Sequence, residues 1–268
     1  MFMRTLKSGL TALALTLPTI AAALESPVTL TVLEGWRQAD GTHVAALRFD
    51  LEKDWKTYWR KPGDAGIPPL FDLVDSVNFS DFAVKWPAPV VFDQAGYTSV
   101  GYKDQLILPI VITPRRKNQD VHLRGAVQIG VCQDVCLPVT LEISARLDAG
   151  TKDETPIIAA ALASVPMTAA EAGVKSAVCK LGMNGSTLTL STILGMPPTG
   201  GDEFVILESA NRDLWLSDTQ STRKGDELTA RGEVASMSGT TIALNRSEVR
   251  ITVLGQDRAV DIQGCTGR

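Results

Sequence analysis

Two cysteines separated by three residues are the part of this sequence best suited to chemistry. Cys132 and Cys136 lie in IGVCQDVCLPVT, residues 129–140, with apolar runs on both sides. In one straight strand their Cα atoms would be about 13 Å apart, whereas a disulfide needs roughly 4.4–6.8 Å. The flanks are strand-like, so residues 133–135 are predicted to form a three-residue hairpin loop that brings the cysteines together. Asp134 is expected to adopt the unusual backbone angle of that loop.

Three interpretations of this pair remain open: a structural disulfide, part of a metal site, or a redox pair that opens and closes. So small a ring removes little entropy from the unfolded chain, and a hairpin tip is accessible, which favours the redox pair. Two thiolates attract Cu(I) or Zn(II), but a metal needs further ligands, and the chain has only His43 and His122. We therefore predict no resident metal and no other cofactor.

The residues beside the cysteines predict a modest thiol reactivity. No Lys, Arg or His flanks them in the sequence, and Asp134 lies between them. A neighbouring carboxylate disfavours a thiolate. The pair is therefore expected to be attacked by a partner's activated thiolate.

The N-terminal residues predict export. Residues 1–23 contain Arg4 and Lys7, then a short apolar stretch, then three consecutive alanines. This is the pattern of a signal peptide, and the apolar stretch is shorter than the roughly 20 residues that span a bilayer. The alternative is a membrane anchor. We expect a mature chain that starts near Leu24, does not span the membrane and is exported to a compartment where thiols tend to form disulfides.

Composition and hydrophobic patterning predict an all-β protein. The 268 residues carry a net charge of −4, so a nucleic-acid partner is not expected. Seven or eight short strand-like segments in residues 24–148 predict an immunoglobulin-like β-sandwich, in which residues 87–104 are mostly loop. Residues 149–174 are predicted to be a linker with a short helix starting at Pro156. Residues 175–268 are predicted to form a second, smaller β domain.

The other two cysteines are expected to form a separate structural disulfide. Cys179 and Cys265 lie near the first and last strands of the predicted second domain. An exported protein seldom leaves two thiols unpaired.

Three segments carry a resemblance to a known family. They are WKTYWRKPGDAGIPP (55–69), WPAPVVFDQAGYTSVGYKDQLILPIVITP (86–114) and GVCQDVCLP (130–138). In this order they resemble the N-terminal periplasmic domain of the DsbD and ScsB disulfide reductases, over most of residues 27–147. The resemblance implies an immunoglobulin-type domain that lies in the periplasm and takes electrons by thiol–disulfide exchange. Its expected partners are a thioredoxin-like domain or membrane disulfide reductase and oxidised periplasmic proteins.

The resemblance also implies roles for individual residues. Cys132 and Cys136 match the redox cysteines, and Cys136 is the one that joins the partner. Tyr58 and Trp59 fall where aromatic residues pack near the site. A cap loop that shields the cysteines maps onto Asp93, Gln94, Ala95, Gly96 and Tyr97. The transmembrane and thioredoxin-like domains of the full reductases do not appear in this sequence, so we expect a stand-alone exchange protein. The alternative is a copper-handling or adaptor module that uses the thiols as ligands.

Overall fold

A computed structural model describes residues 26–63, 66–94 (at Gln94 the backbone only) and 96–267. The predicted signal peptide, residues 1–23, lies outside the described residues. In the described part of the chain, no helix has the length and apolar character needed to cross a membrane. Regular structure there is almost entirely β.

Ten strands make up the N-terminal half. They are β1 Val28–Arg37, β2 His43–Leu51, β3 Lys56–Gly63, β4 Leu70–Asp72, β5 Phe79–Val84, β6 Val90–Gln94, β7 Tyr97–Lys103, β8 Gln105–Pro114, β9 Val121–Cys132 and β10 Cys136–Leu147.

One helix and nine strands follow. They are α1 Pro156–Ala163, β11 Met167–Thr168, β12 Ser176–Asn184, β13 Thr187–Gly195, β14 Phe204–Ser209, β15 Leu214–Leu216, β16 Gln220–Lys224, β17 Glu227–Ser236, β18 Val249–Leu254 and β19 Ala259–Gln263; a 3₁₀ turn spans Arg246–Glu248.

The N-terminal half is a sandwich of two antiparallel sheets. One sheet has the order β1-β2-β8-β5, and the other has the order β10-β9-β3-β7-β6, with β4 also paired to β9. Strands β2 and β8 are rich in apolar residues because one face fills the core and the other packs under α1, where Ile158 meets Val44 and Ala46. The second sheet carries both redox-candidate cysteines, one on β9 and one on β10.

The C-terminal half is a second pair of sheets. Their orders are β11-β19-β18-β14 and β12-β13-β17-β15, with β16 also paired to β17. The predicted all-β, immunoglobulin-like architecture followed by a further β region is confirmed. The predicted linker, residues 149–174, contains the expected helix, and it also contains β11, which pairs with β19. The exact domain boundaries stay predictions.

Two local expectations are wrong. Residues 87–104 are not mostly loop, because β6 and β7 pair as a hairpin from Val90 opposite Gly101 to Gln94 opposite Tyr97. Asp134 does not take a left-handed backbone angle: among the described residues, positive φ at non-glycine positions is confined to Asp54, Asn78 and Asp104. The hairpin loop after β9 closes without such an angle.

The two halves share packed apolar surface. The core between the N-terminal sheets includes Ile206, Leu254 and Ala259 of the C-terminal half, and Phe204 packs against it. A second core fills the C-terminal sheets. The halves are therefore in direct apolar contact.

Candidate redox site

The tip of the β9–β10 hairpin carries a disulfide. Cys132 ends β9, Cys136 begins β10, and the two residues face each other in the ladder. Their sulfurs are bonded, with the Cα atoms 4.2 Å apart. Within the loop, the Gln133 N–H donates to the Val135 carbonyl at 3.4 Å. The three-residue reversal predicted from the sequence is what makes this bond possible.

The two cysteines differ in exposure. Cys132 is 1% exposed, whereas Cys136 is exposed. The neighbours of Cys136 are apolar and open to solvent, with Val135 66% and Leu137 40% exposed. A partner can therefore approach the sulfur of Cys136 across an apolar surface, while Cys132 is covered by the protein.

A buried tyrosine contacts the disulfide from below. The Tyr58 hydroxyl lies 2.7 Å from Cys132 Sγ and 3.1 Å from Cys136 Sγ, and the residue is 3% exposed. Burial raises the pKa of Tyr58 above its usual value, so the phenol is protonated at neutral pH. It can therefore donate its single O–H to one sulfur at a time.

The course of β3 creates the space for this ring. Strand β3 pairs with β9 only through Lys56 opposite Cys132 and Thr57 opposite Val131, and β4 takes its place further along β9. The Tyr58 ring fills the gap between Gly66 and Gly130. A Cβ on Gly66 would lie 2.7 Å from a ring carbon, and one on Gly130 would lie 3.0 Å from another. A side chain at either position would therefore crowd the ring where it lies against the sulfurs.

Sequence reasoning missed a cation beside the cysteines. Lys56 is the direct cross-strand neighbour of Cys132. Alternation along β3 places Lys56 and Tyr58 on the same face of the sheet. The Lys56 ammonium lies 3.5 Å from Ser99 Oγ and 5.2 Å from the centroid of the Phe92 ring, and burial lowers its pKa. The sequence flanks of the cysteines contain no cation, and this lysine enters the surroundings of the pair only through the strand register.

Comparison with known proteins identifies this part of the chain. Residues 29–147 match the family model described as thiol:disulfide interchange protein DsbD, N-terminal. Residues 29–147 are a DsbD N-terminal domain. The resemblance noted in the sequence is thereby confirmed, and the Cys132–Cys136 disulfide lies inside a thiol:disulfide interchange domain.

A solved structure is similar over nearly the whole chain. It is the crystal structure of the N-terminal periplasmic domain of ScsB from Proteus mirabilis, with a TM-score of 0.67 and 23% identity over 95% of this chain and 97% of that one. At this identity the likeness shows the fold, and it covers both halves. No curated protein matches the chain.

The cap-loop positions lie around the turn of the β6–β7 hairpin of the DsbD domain. Gly96 has a φ of +84°, its N–H donates to Asp93 Oδ1 at 3.3 Å, and Tyr97 is 65% exposed. Ala95 and the side chain of Gln94 lie outside the described residues. A role of this turn in shielding the disulfide stays a prediction.

Another residue of the same hairpin lies near the tip of the redox hairpin. Phe92 lines an open cleft together with Lys56, Lys103, Gln133 and Asp134. Tyr102, a further aromatic residue of β7, is buried in the core of the DsbD domain and donates its hydroxyl to the Pro87 carbonyl at 2.8 Å.

Trp59 occupies a different environment from Tyr58. It is fully buried in the core between the sheets of the DsbD domain. Because successive residues of a strand point to opposite faces, the disulfide and Tyr58 lie on the outer face of the β9-containing sheet. Trp59 thus packs beneath the site and stacks under the guanidinium of Arg60, 3.8 Å from the ring centroid.

A second disulfide lies outside the DsbD domain. Cys179 and Cys265 are bonded; they are 86 positions apart in the sequence, and their Cα atoms are 5.7 Å apart. Cys179 is fully buried in the C-terminal core. The bond ties β12 to the segment after β19. Among the described residues, no three His, Cys, Asp or Glu side chains are grouped so that they could hold a metal ion.

Proposed function

We propose that this protein is a periplasmic thiol–disulfide exchange protein. It cycles Cys132–Cys136 between disulfide and dithiol, taking electrons from a thioredoxin-like domain or membrane disulfide reductase and passing them to oxidised periplasmic proteins. The observation that carries this proposal is the disulfide itself, with one exposed sulfur, one buried sulfur and a protonated phenol against both. The periplasmic location rests on the predicted signal peptide together with the similarity to the periplasmic domain of ScsB.

Reduction of the disulfide begins at the exposed sulfur. A thiolate of the reduced partner attacks Cys136 Sγ, the Cys132–Cys136 bond breaks, and its electron pair leaves on Cys132 Sγ. The partner and Cys136 are now joined in a mixed disulfide. A second partner thiolate attacks the partner's own sulfur and releases Cys136. The partner ends as a disulfide and this protein as a dithiol, a transfer of two electrons.

The onward transfer uses the same two sulfurs in reverse. The Cys136 thiolate attacks the disulfide of an oxidised client and forms a mixed disulfide with it. The Cys132 thiolate then attacks Cys136 Sγ, re-forms the internal disulfide and releases the client as a dithiol. Cys136 is thus the exchanging thiol and Cys132 the resolving thiol.

Two side chains support departure of Cys132 as a thiolate. The Tyr58 hydroxyl, 2.7 Å from Cys132 Sγ, can donate to the developing charge. Lys56 is the cross-strand neighbour of Cys132, and its side chain lies on the same face of the sheet as Tyr58 and the disulfide. A positive charge on that face favours the charged sulfur.

A trapping experiment with single-cysteine variants tests this proposal. The probe is a thioredoxin whose resolving cysteine is replaced by serine and whose remaining cysteine carries thionitrobenzoate. The variant Cys132→Ala should displace thionitrobenzoate through Cys136 and form a covalent complex, at least about tenfold faster than the matched control Cys136→Ala. Both variants keep the Cys179–Cys265 bond.

The outcomes separate the proposal from its rival. A faster reaction of Cys136→Ala would show that the roles are reversed. If neither variant forms a complex, and the reduced protein instead holds Cu(I) stoichiometrically against a competing chelator, the thiols act as metal ligands and the exchange proposal is wrong.

A further inference from the structure

The C-terminal half contacts β3, the strand that carries Tyr58, through polar side chains. The Arg60 guanidinium makes a two-pronged contact with Glu208, through Nε at 3.0 Å and Nη2 at 2.9 Å. Nη2 also donates to Thr252 Oγ1 at 3.1 Å and lies 4.0 Å from an Asp261 oxygen. The Arg60 and Glu208 side chains are only 12% and 18% exposed. This is a mostly desolvated ion pair between β3 and β14. Removing one partner of such a pair lowers the stability of the fold because the other charge is left buried and unpaired.

The next residue makes a second contact to the same half. Lys61 donates from its ammonium to the Leu216 carbonyl at 2.8 Å. Phe204, Ile206 and Leu254 pack into the N-terminal core nearby in the same interface. Neighbouring residues of β3 are therefore anchored to the C-terminal half by both polar and apolar contacts.

Arg60 and Lys61 lie in the part of β3 that has the fewest pairing contacts within its own sheet. Pairing with β9 ends at Thr57. Pairing with β7 is regular up to Tyr58 opposite Gly101 and resumes only at Gly63 opposite Ser99, so the backbone bulges between these points. Arg60 lies in this bulge, two residues after Tyr58. Tyr58 is the last regularly paired residue before the bulge, so the contacts that hold the bulge also help to position the Tyr58 ring.

We propose that Arg60 and Glu208 are positioning residues for the Tyr58 hydroxyl. By fixing the β3 bulge, the C-terminal half keeps the phenol against the two sulfurs and so sets how fast the disulfide opens. This rests on the exchange function proposed above. It assigns the C-terminal half a part in the chemistry of the N-terminal half.

The test compares two glutamate variants of the full chain. Glu208→Gln weakens the Arg60 contact. The matched control is Glu203→Gln, which weakens another arginine pair, Arg223–Glu203, within the C-terminal half. The second-order rate of reduction of the Cys132–Cys136 disulfide by dithiothreitol is followed by thiol trapping, and thermal unfolding is recorded for each variant. Glu208→Gln is expected to slow reduction roughly threefold or more, and Glu203→Gln to leave the rate unchanged.

A double-variant comparison separates positioning from general loosening. If Glu208 acts through the phenol, Glu208→Gln should have no further effect on the rate in a Tyr58→Phe background. An unchanged rate in Glu208→Gln, or an equal slowing with and without the Tyr58 hydroxyl, would overturn the inference. Should Glu208→Gln fail to fold, Arg60→Lys, which keeps the charge and loses the two-pronged contact, takes its place with the same expected outcomes.

The wild-type protein separates this inference from the proposed function. A wild-type disulfide that dithiothreitol cannot open reversibly would contradict the exchange function itself. If the wild-type disulfide opens reversibly but Glu208→Gln leaves its reduction rate unchanged, only the positioning role is contradicted.

Discussion

Replacing Tyr58 by phenylalanine should slow opening of the Cys132–Cys136 disulfide. The change removes one oxygen and leaves the ring between Gly66 and Gly130, where it is held on both sides. The hydroxyl 2.7 Å from Cys132 Sγ is then absent when that sulfur takes up negative charge. The leaving thiolate loses a charge-assisted hydrogen bond.

The size of the effect follows from the strength of such a bond. A hydrogen bond to a charged group contributes about 1.5–3 kcal/mol. The attacking thiol in thiol–disulfide exchange has a Brønsted coefficient of ~0.4–0.5; if the leaving sulfur has likewise taken up about half of its charge in the transition state, the barrier rises by about 0.7–1.5 kcal/mol. Each 1.36 kcal/mol is a factor of ten, so reduction should slow about 3- to 13-fold.

The assay is the rate of reduction by dithiothreitol, with Tyr102→Phe as the matched control. Tyr102 is also buried in the N-terminal half, but its hydroxyl donates to the Pro87 carbonyl. Tyr102→Phe should lower the free energy of unfolding and leave the reduction rate at the wild-type value. Burial raises the pKa of Tyr58 above its usual 10.0, so the phenol remains a donor and the wild-type advantage should be constant from about pH 7 to 9.

Two results would refute this reasoning. A Tyr58→Phe rate equal to the wild-type rate would show that the hydroxyl does not assist the leaving sulfur. Equal slowing in Tyr58→Phe and Tyr102→Phe would attribute the effect to lost stability. The thermal unfolding midpoint of each variant distinguishes the second case from a specific effect.

Two further predictions concern the cap loop and the second disulfide. Replacing residues 94–97 of the cap loop by a Gly-Ser segment should speed alkylation of the reduced Cys132–Cys136 pair. The control, the same replacement in the β12–β13 turn at residues 184–187, should leave the alkylation rate unchanged. An unchanged rate in the cap-loop variant would show that this loop does not shield the cysteines. Replacing Cys179 and Cys265 together by alanine should lower the free energy of unfolding in urea by up to about 4–5 kcal/mol, since the bond closes a long loop. A loss below about 1 kcal/mol would contradict its structural role.

The cysteine hairpin could be predicted because its determinants are local. Two strand-like flanks and a three-residue spacing leave one way for Cys132 and Cys136 to meet, and the ladder follows from it. The helix at Pro156 and the all-β patterning are local signals of the same kind. The β6–β7 hairpin was missed because β6 is an edge strand whose Val90 and Val91 are both exposed, so its burial does not alternate.

The surroundings of the disulfide could not be predicted from local patterns. Lys56 meets Cys132 only through the β3–β9 register, which brings together residues far apart in the sequence. The resemblance placed Tyr58 near the site, but its contact with both sulfurs depends on glycines in two other segments. The Arg60–Glu208 contact joins the two halves of the chain and leaves no periodic signal in the sequence.

A redox titration with mass mapping tests the central claim most directly. The protein is equilibrated in glutathione and dithiothreitol buffers of stepped potential, free thiols are alkylated, and each cysteine peptide is quantified. The Cys132–Cys136 pair is expected to pass reversibly from disulfide to dithiol at potentials above about −300 mV, while Cys179–Cys265 stays bonded in the same samples. A Cys132–Cys136 bond that remains fully oxidised at about −300 mV, or that opens only together with Cys179–Cys265, would mark it as structural and contradict the exchange function.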